Sequence, residues 1–265
     1  MTKANPLFDL TGKTAFVSGA SHGLGMAIAQ GLANAGAQII INGRSAERLE
    51  KAAEVYASKG IKVHWYEFDV TDEEKVKHYV NKMESDVGPI DILFNNAAII
   101  KRTPILEMAV EDFKEVLMVD LVSPFIVSKA IVPGMIARGH GKVINMCSMM
   151  SEVSRNTVSA YAAAKGGLKM LTKEMADEWA KFNIQTNALG PGYFATDQTA
   201  PIRVDGHPFN DFIVKRTPAR RWGQPEELQG AAIFLSSKAS DFVNGHVLYV
   251  DGGILATLGS HAGED

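Results

Sequence analysis

The run from residue 13 to residue 35 most limits what this chain can become. It reads as a short apolar strand (13–18), the loop Gly19-Ala20-Ser21-His22-Gly23-Leu24-Gly25, and a helical stretch (26–35). Glycines there let the backbone turn tightly and let a phosphate reach the amides at a helix N-terminus, where the dipole favours an anion. The spacing is G-x-x-x-G-x-G, not the commoner G-x-G-x-x-G of dinucleotide-binding turns. The same residues also satisfy G-x-S-x-G, with Ser21 as a would-be nucleophile. A nucleophile elbow needs earlier strands and an oxyanion loop, however, and only eighteen residues precede Gly19.

The alternation continues down the chain. A second apolar strand (38–42) ends at Gly43-Arg44, where a site preferring NAD would carry an acid for the ribose hydroxyls. Arg44 instead suits a 2′-phosphate and favours NADP; the alternative is a solvated loop charge, with Ser45 capping the helix 46–58. The third strand (61–68) ends at Asp69-Val70, where Asp69 is placed to accept from an adenine amino group or to act as a turn acid. Thr71 is the expected N-cap of a helix running to about Asp86. Gly88-Pro89 breaks the chain before strand 90–94, which runs into Asn95-Asn96-Ala97-Ala98: amides to brace backbone, and small residues to leave room for a flat ligand. A long apolar-periodic helix (111–138) follows, with Asp120 near its middle and Pro124 expected to free a carbonyl and kink the axis. Further strands are expected at 141–146, 184–189 and 247–250, and helices up to about Phe182 and over 225–235. At 265 residues, 46% of them hydrophobic, this pattern suits one large α/β domain better than two small ones.

The chemistry concentrates between Ser148 and Lys165. Ser148 stands just past an apolar strand, and Tyr161 and Lys165, at i and i+4, share a helix face so that an ammonium lies beside a phenol. A free phenol is a poor base at neutral pH. A neighbouring positive charge is expected to lower its pKa, at roughly 3–4 kcal/mol of differential stabilisation, while Ser148 orients the oxygen that gains or loses the proton.

Composition removes other classes. A net charge of −3 offers no basic excess for a nucleic acid backbone. The longest apolar runs are strand-length and residues 1–9 lack a leader's charged and apolar regions, so neither membrane nor secretion is expected and the location reads as cytoplasmic. The single cysteine, Cys147, excludes an internal disulfide and a cysteine-rich zinc site, and reads as a small buried strand residue. No ligand spacing supports a metal site, although Glu152 is a conceivable divalent-ion ligand.

Taken together, the residues resemble the short-chain dehydrogenases/reductases over nearly the whole chain: Gly19-x-x-x-Gly23-x-Gly25, Asp69, Asn95-Asn96-Ala97, Ser148, Tyr161-x-x-x-Lys165, then Pro191-Gly192 with Thr196. The resemblance implies a Rossmann-type, doubly wound, parallel seven-stranded sheet with helices on both faces in a single domain. It implies a nicotinamide cofactor held by Gly19, Ser21, His22, Gly23, Leu24, Gly25, Arg44, Asp69, Val70, Asn96, Ala97, Pro191, Gly192 and Thr196, the last at the carboxamide. Tyr161 becomes the acid/base, Ser148 its partner, and Lys165 both a ribose ligand and the group that lowers the tyrosine pKa. It also implies a homotetramer built on the helix of Tyr161. Two departures are Ala98 in place of a glycine and Asp120 in place of the usual asparagine, a residue held to anchor a water in a proton relay.

Residues 193–222, rich in proline, arginine and polar residues, read as an irregular lid that selects substrate. Lys101, Arg102, Glu152, Arg155, Asn156 and the lid arginines are the candidate substrate contacts; arginine matches a carboxylate, and Glu and Asn suit hydroxyls. That mixture points to a small polyhydroxy acid. The segments 95–104 and 152–160 resemble the gluconate 5-dehydrogenases, which implies NADP(H)-dependent interconversion of D-gluconate and 5-keto-D-gluconate, with Arg102 and Arg155 at the carboxylate. A 2-deoxy-D-gluconate 3-dehydrogenase and a 3-oxoacyl-carrier-protein reductase are alternatives, the latter disfavoured by the acidic balance; a dinucleotide sensor without turnover is a more distant one.

Overall fold

A computed structural model describes residues 5–259. Residues 1–4, part of the amino terminus read above for a leader, and residues 260–265 of the tail lie outside the described residues.

Seven parallel strands form one sheet: β1 (Thr14–Val17), β2 (Gln38–Gly43), β3 (Val63–Glu67), β4 (Ile92–Asn95), β5 (Gly141–Met146), β6 (Ile184–Pro191) and β7 (Val247–Val250). Their order is β3-β2-β1-β4-β5-β6-β7. Parallel neighbours need crossovers, and helices supply them: α1 (Gly23–Asn34), α2 (Ala46–Ser58), α3 (Glu73–Asp86), α4 (Val110–Leu117), α5 (Ser123–Arg138), α6 (Ser159–Trp179), α7 (Pro208–Arg216) and α8 (Gln229–Ser236).

Both faces of the sheet are covered, so the central strands are buried throughout rather than alternately buried and exposed. Alternate residues still choose opposite layers. Ala15 and Val17 join Ile39, Ile41 and Phe94 against Ile28 and Leu32 of α1 and Leu235 of α8, whereas Phe16, Ile40, Leu93 and Val143 pack on Val76 and Val80 of α3 and Ile131 and Met135 of α5. Each of the larger side chains among these contributes about 1.5–3 kcal/mol on burial. The order in which strands are added reverses between β1 and β4, first outward to β3 and then outward to β7, which leaves a crevice at their carboxyl ends.

Three local expectations are corrected. Thr71 does not cap α3: its amide and hydroxyl both turn back to Asp69 Oδ1 (2.9 and 2.8 Å), and Asp72 accepts from the Lys75 amide instead. The long helix is not one α-helix kinked at Pro124. A π-helical turn, Met118–Val122, separates α4 from α5, and Pro124 sits in the first turn of α5. Having no N–H, Pro124 cannot serve the Asp120 carbonyl four residues back, and Ser123 Oγ donates to Val119 O (2.7 Å), so the wider turn absorbs the mismatch. Residues 193–222 are not irregular throughout either, since they hold the short turn Asp197–Ile202 and α7. The stretch Val110–Arg138 is long and apolar enough by composition to cross a membrane, but half of its most apolar window is buried within the fold.

Candidate active site

A cavity of about 780 Å³ opens at the carboxyl ends of the strands. Its floor at one end is the loop after β1. Gly19 has φ +64°, and a Cβ there would meet Ala97 Cα at 2.9 Å, so only glycine permits both the turn and the approach of the β4 end. Polar side chains clamp this loop. Asn42 Oδ1 accepts from the Gly19 amide (3.1 Å), and Ser18 Oγ accepts from the amides of Asn96 and Ala97 (3.0 Å each). Asn96 Nδ2 donates to the carbonyls of Ser18 and Gly19. No side chain caps the N-terminus of α1, whose first residues Gly23, Leu24 and Gly25 line the cavity. Those amides and the helix dipole suit an anion. Ser21 Oγ lies 3.1 Å from Nδ1 of adjacent His22, a contact within the loop rather than a nucleophile and base brought from separate elements.

Beyond β2, Arg44, Ser45 and Arg48 face the same cavity. The cap expected at Ser45 is present, its Oγ accepting from the Arg48 amide, and Arg44 stands 3.9 Å from Asp69 at the cavity wall. Arg48 was missed; its signal was its place in the first turn of α2, one turn past Arg44.

At the other end Ser148, Tyr161 and Lys165 come together. Asn95 Nδ2 donates to Asn145 Oδ1 (2.9 Å) and Ser128 Oγ (3.0 Å), and Asn145 Nδ2 to Thr172 Oγ1 (2.9 Å), tying β4 and β5 to α5 and α6. That buried network fixes α6 against the strand ends. Ser148 Oγ accepts from the Met150 amide (3.1 Å). Lys165 is 1% exposed; its Nζ donates to Met146 O (2.8 Å), lies 3.2 Å from Asp120 Oδ2, and is 5.4 Å from the Tyr161 ring centre.

The electrostatics differ from expectation. Burial pushes the Tyr161 phenol up; Lys165 and the Ser148 hydroxyl pull it down, Asp120 pushes it up again, and the net direction is raised, not lowered. The sequence showed the ammonium at i+4 but not the desolvation that outweighs it. Burial opposes the charge on Lys165, yet Asp120 and Tyr161 more than compensate and hold its pKa above the ordinary value.

Of the expected site residues, Gly19, Ser21, His22, Gly23, Leu24, Gly25, Arg44, Asp69, Val70, Asn96, Ala97, Arg102, Ser148, Arg155, Tyr161, Lys165, Pro191, Gly192 and Thr196 all line the cavity. Asp120 lies behind Lys165, out of the lining, with no exposed surface. Glu152 is also outside it, because Lys169 Nζ (2.5 Å) and Tyr249 Oη (2.7 Å) claim its carboxylate. Lys101 is bound to Asp112 and Glu115, Arg203 to Thr196 O and Thr199, Arg216 to Thr257 O, and Arg221 to Glu227; Asn156 is likewise outside the lining. Sequence reasoning missed Tyr193, which stacks edge-on against Phe209 and Trp222, and the apolar wall of Ile100, Met149, Met150 and Val158. Arg155 lies 5.0 Å from the Phe209 ring centre, and the charges of Arg155 and Arg102 both bear on the Tyr193 phenol.

The sequence model of a family described as enoyl-(acyl carrier protein) reductase matches residues 19–255, which contain this whole site. The chain belongs to the short-chain dehydrogenase/reductase family. Among its relatives in that family, a 2-dehydro-3-deoxy-D-gluconate 5-dehydrogenase of Formosa agariphila is 66% identical over 260 residues, covering 98% of each chain. A gluconate 5-dehydrogenase of Gluconobacter oxydans is 48% identical over 95% of this chain and 98% of its own. The crystal structure of a gluconate 5-dehydrogenase from Burkholderia cenocepacia in complex with NADP and tartrate superposes with a TM-score of 0.91 at 45% identity, covering 96% of this chain and 99% of that one. Like them, this short-chain dehydrogenase/reductase is an oxidoreductase acting on CH–OH groups.

Proposed function

We propose that this protein is an NADP-dependent dehydrogenase of the C5 hydroxyl of a six-carbon sugar acid, with 2-dehydro-3-deoxy-D-gluconate as substrate ahead of D-gluconate. The observation that carries the reading is one cavity holding Ser148, Tyr161 and Lys165 together with two arginines, Arg102 and Arg155. The order of substrates departs from the gluconate reading above for two reasons. Glu152, expected to bind substrate hydroxyls, is tied to Lys169 and Tyr249, and an apolar wall stands in the cavity, which suits an acid with two fewer hydroxyls, its C2 being a ketone and its C3 bare. The 66% identity to a relative of that name agrees.

The cleft fits NADP: a Cβ on Gly25 would strike Asn96, so the loop stays bare at the helix N-terminus, and Arg44 and Arg48 supply positive charge past β2. Bound NADP supplies hydride exchange at nicotinamide C4. The chain's own residues do the rest. In oxidation Tyr161 Oη takes the hydroxyl proton; in reduction it returns one to the ketone oxygen. Ser148 Oγ orients that oxygen, Lys165 stabilises the phenolate, and Arg102 and Arg155 hold the carboxylate. Residues 193–222 serve as the lid, with Phe209 of α7 bearing on Arg155.

The reading extends to a homotetramer working in the cytoplasm, where Cys147, the single and buried thiol, stays reduced. Met118, Phe125 and Met170, left exposed between and along α4, α5 and α6, support that assembly. Light scattering at four times the 28.6 kDa chain mass is expected.

Initial rates with each acid and with NADP⁺ or NAD⁺ test the activity. The expected result is a higher kcat/KM for the 3-deoxy acid with NADP⁺. Faster turnover of D-gluconate would reverse the substrate order, and turnover of neither would overturn the reading.

A further inference from the structure

Asp120 is a carboxylate with no exposed surface, on the π-helical turn behind the acid/base. Its Oδ1 accepts from the Ile99 amide (2.8 Å), which pins the chain leaving β4. Its Oδ2 stands 3.2 Å from Lys165 Nζ and has no aligned hydrogen bond, so its one partner there is the charge on that ammonium. Lys165 spends a proton on Met146 O and carries the Tyr161 ring beside it. A neutral asparagine at this place would satisfy Ile99 equally but would not place a negative charge beside Lys165. The charge is thus what separates Asp120 from an asparagine here: either would serve Ile99, and only the carboxylate pairs with Lys165.

We propose that Asp120 is a positioning residue that sets the working pH of the redox site: its buried charge holds Lys165 as an ammonium and favours the neutral phenol of Tyr161, so that the site donates a proton to a bound ketone over a wider span of pH than an amide there would allow. This deepens the function proposed above and rests on its reading of Tyr161 as acid/base. The titratable groups around Asp120 and Lys165 are Tyr161 on α6 and Cys147 after β5, whose thiol burial keeps protonated. Nothing titratable on α4 or α5 shifts Asp120. Its negative charge raises both Lys165 and Tyr161, while burial raises Asp120 itself.

The sign follows from what each direction needs. Oxidation needs the phenolate and rises with pH through the tyrosine's titration; reduction needs the phenol and falls through the same titration. Removing the charge favours the phenolate, so both limbs move to lower pH.

The test is Asp120→Asn, which keeps the acceptor for Ile99. Profiles of kcat/KM against pH in both directions are expected to shift downward by on the order of one pH unit, with NADPH affinity unchanged. Limbs that stay in place while rates fall, or that move to higher pH, would overturn the proposal. A second readout needs no turnover: the ultraviolet absorbance of the phenolate, taken as the difference between each protein and its Tyr161→Phe counterpart. A downward shift there supports the role of Asp120 even if neither sugar acid is a substrate, and no shift overturns it even if one is.

Discussion

A Cβ on Gly25 would stand 2.3 Å from Asn96 Nδ2, so the glycine loop and the end of β4 touch with no space for a methyl group between them. The same nitrogen donates to Ser18 O (2.9 Å) and Gly19 O (3.1 Å) and so holds the loop in its left-handed turn. Gly25→Ala must displace Asn96 and lose both bonds, at about 1 kcal/mol each. The expected outcome is NADPH binding at least about tenfold weaker by titration calorimetry, in a protein that remains folded. Unchanged affinity would show that Asn96 moves aside without consequence.

Arg44 is 3.9 Å from Asp69, and both are substantially exposed, so that ion pair is too weak to commit the guanidinium. Arg44→Ala is expected to lower kcat/KM with NADP⁺ about 10- to 100-fold through loss of a charge-assisted contact while leaving the NAD⁺ value unchanged. A loss appearing only in Arg48→Ala would move the 2′-phosphate contact one helical turn along α2.

Tyr161→Phe removes the hydroxyl that exchanges the proton but keeps the ring that Lys165 lies beside. Stopped-flow turnover should fall about 10²- to 10⁴-fold, with NADPH affinity retained. Full activity in this variant would take proton transfer away from Tyr161.

Glu227 anchors the far end of the 193–222 segment: it accepts from Arg221 through both oxygens at 2.7 Å and from the Gln224 amide at 2.7 Å. These bonds hold its carboxyl down to about 2, against an ordinary 4.5. A pKa lowered by folding adds stability above the unfolded value that is lost as pH falls through the folded one. Glu227→Gln should therefore melt below the parent protein at neutral pH, with a constant gap above about pH 5 that narrows as pH falls toward 2. A gap independent of pH would show that geometry, not charge, makes the contribution.

Much of the fold was readable from local pattern. Strand 247–250 and strand 141–146 coincide with β7 and β5, and the remaining strands agree to within two residues at either end, because apolar runs bounded by glycine, proline or polar turns are local signals. The helix segment α7 was hidden in 193–222 by prolines and arginines that look like loop chemistry, and its register comes from Trp222 Nε1 donating to Asn210 Oδ1 across twelve residues. The π-turn was hidden for a related reason: Pro124 announced a freed carbonyl, but whether the chain answers with a kink or a wider turn depends on what packs around it.

The sequence by itself determined that Tyr161 and Lys165 would share a helix face, that Ser148 would stand at a strand end and that a bare glycine loop would open a helix, since i to i+4 spacing and strand-to-helix order are local signals; the wider family pattern joined the three side chains into one site. Tertiary structure alone decided which charges are free to act. Glu152, four residues from Ser148, looked available, but Lys169 and Tyr249, the latter 97 residues away, take its carboxylate. Lys165 promised a lowered phenol pKa, yet burial and Asp120 outweigh it. Spacing along a helix says which groups share a face; desolvation and the choice of ion partner depend on everything the rest of the chain brings against that face.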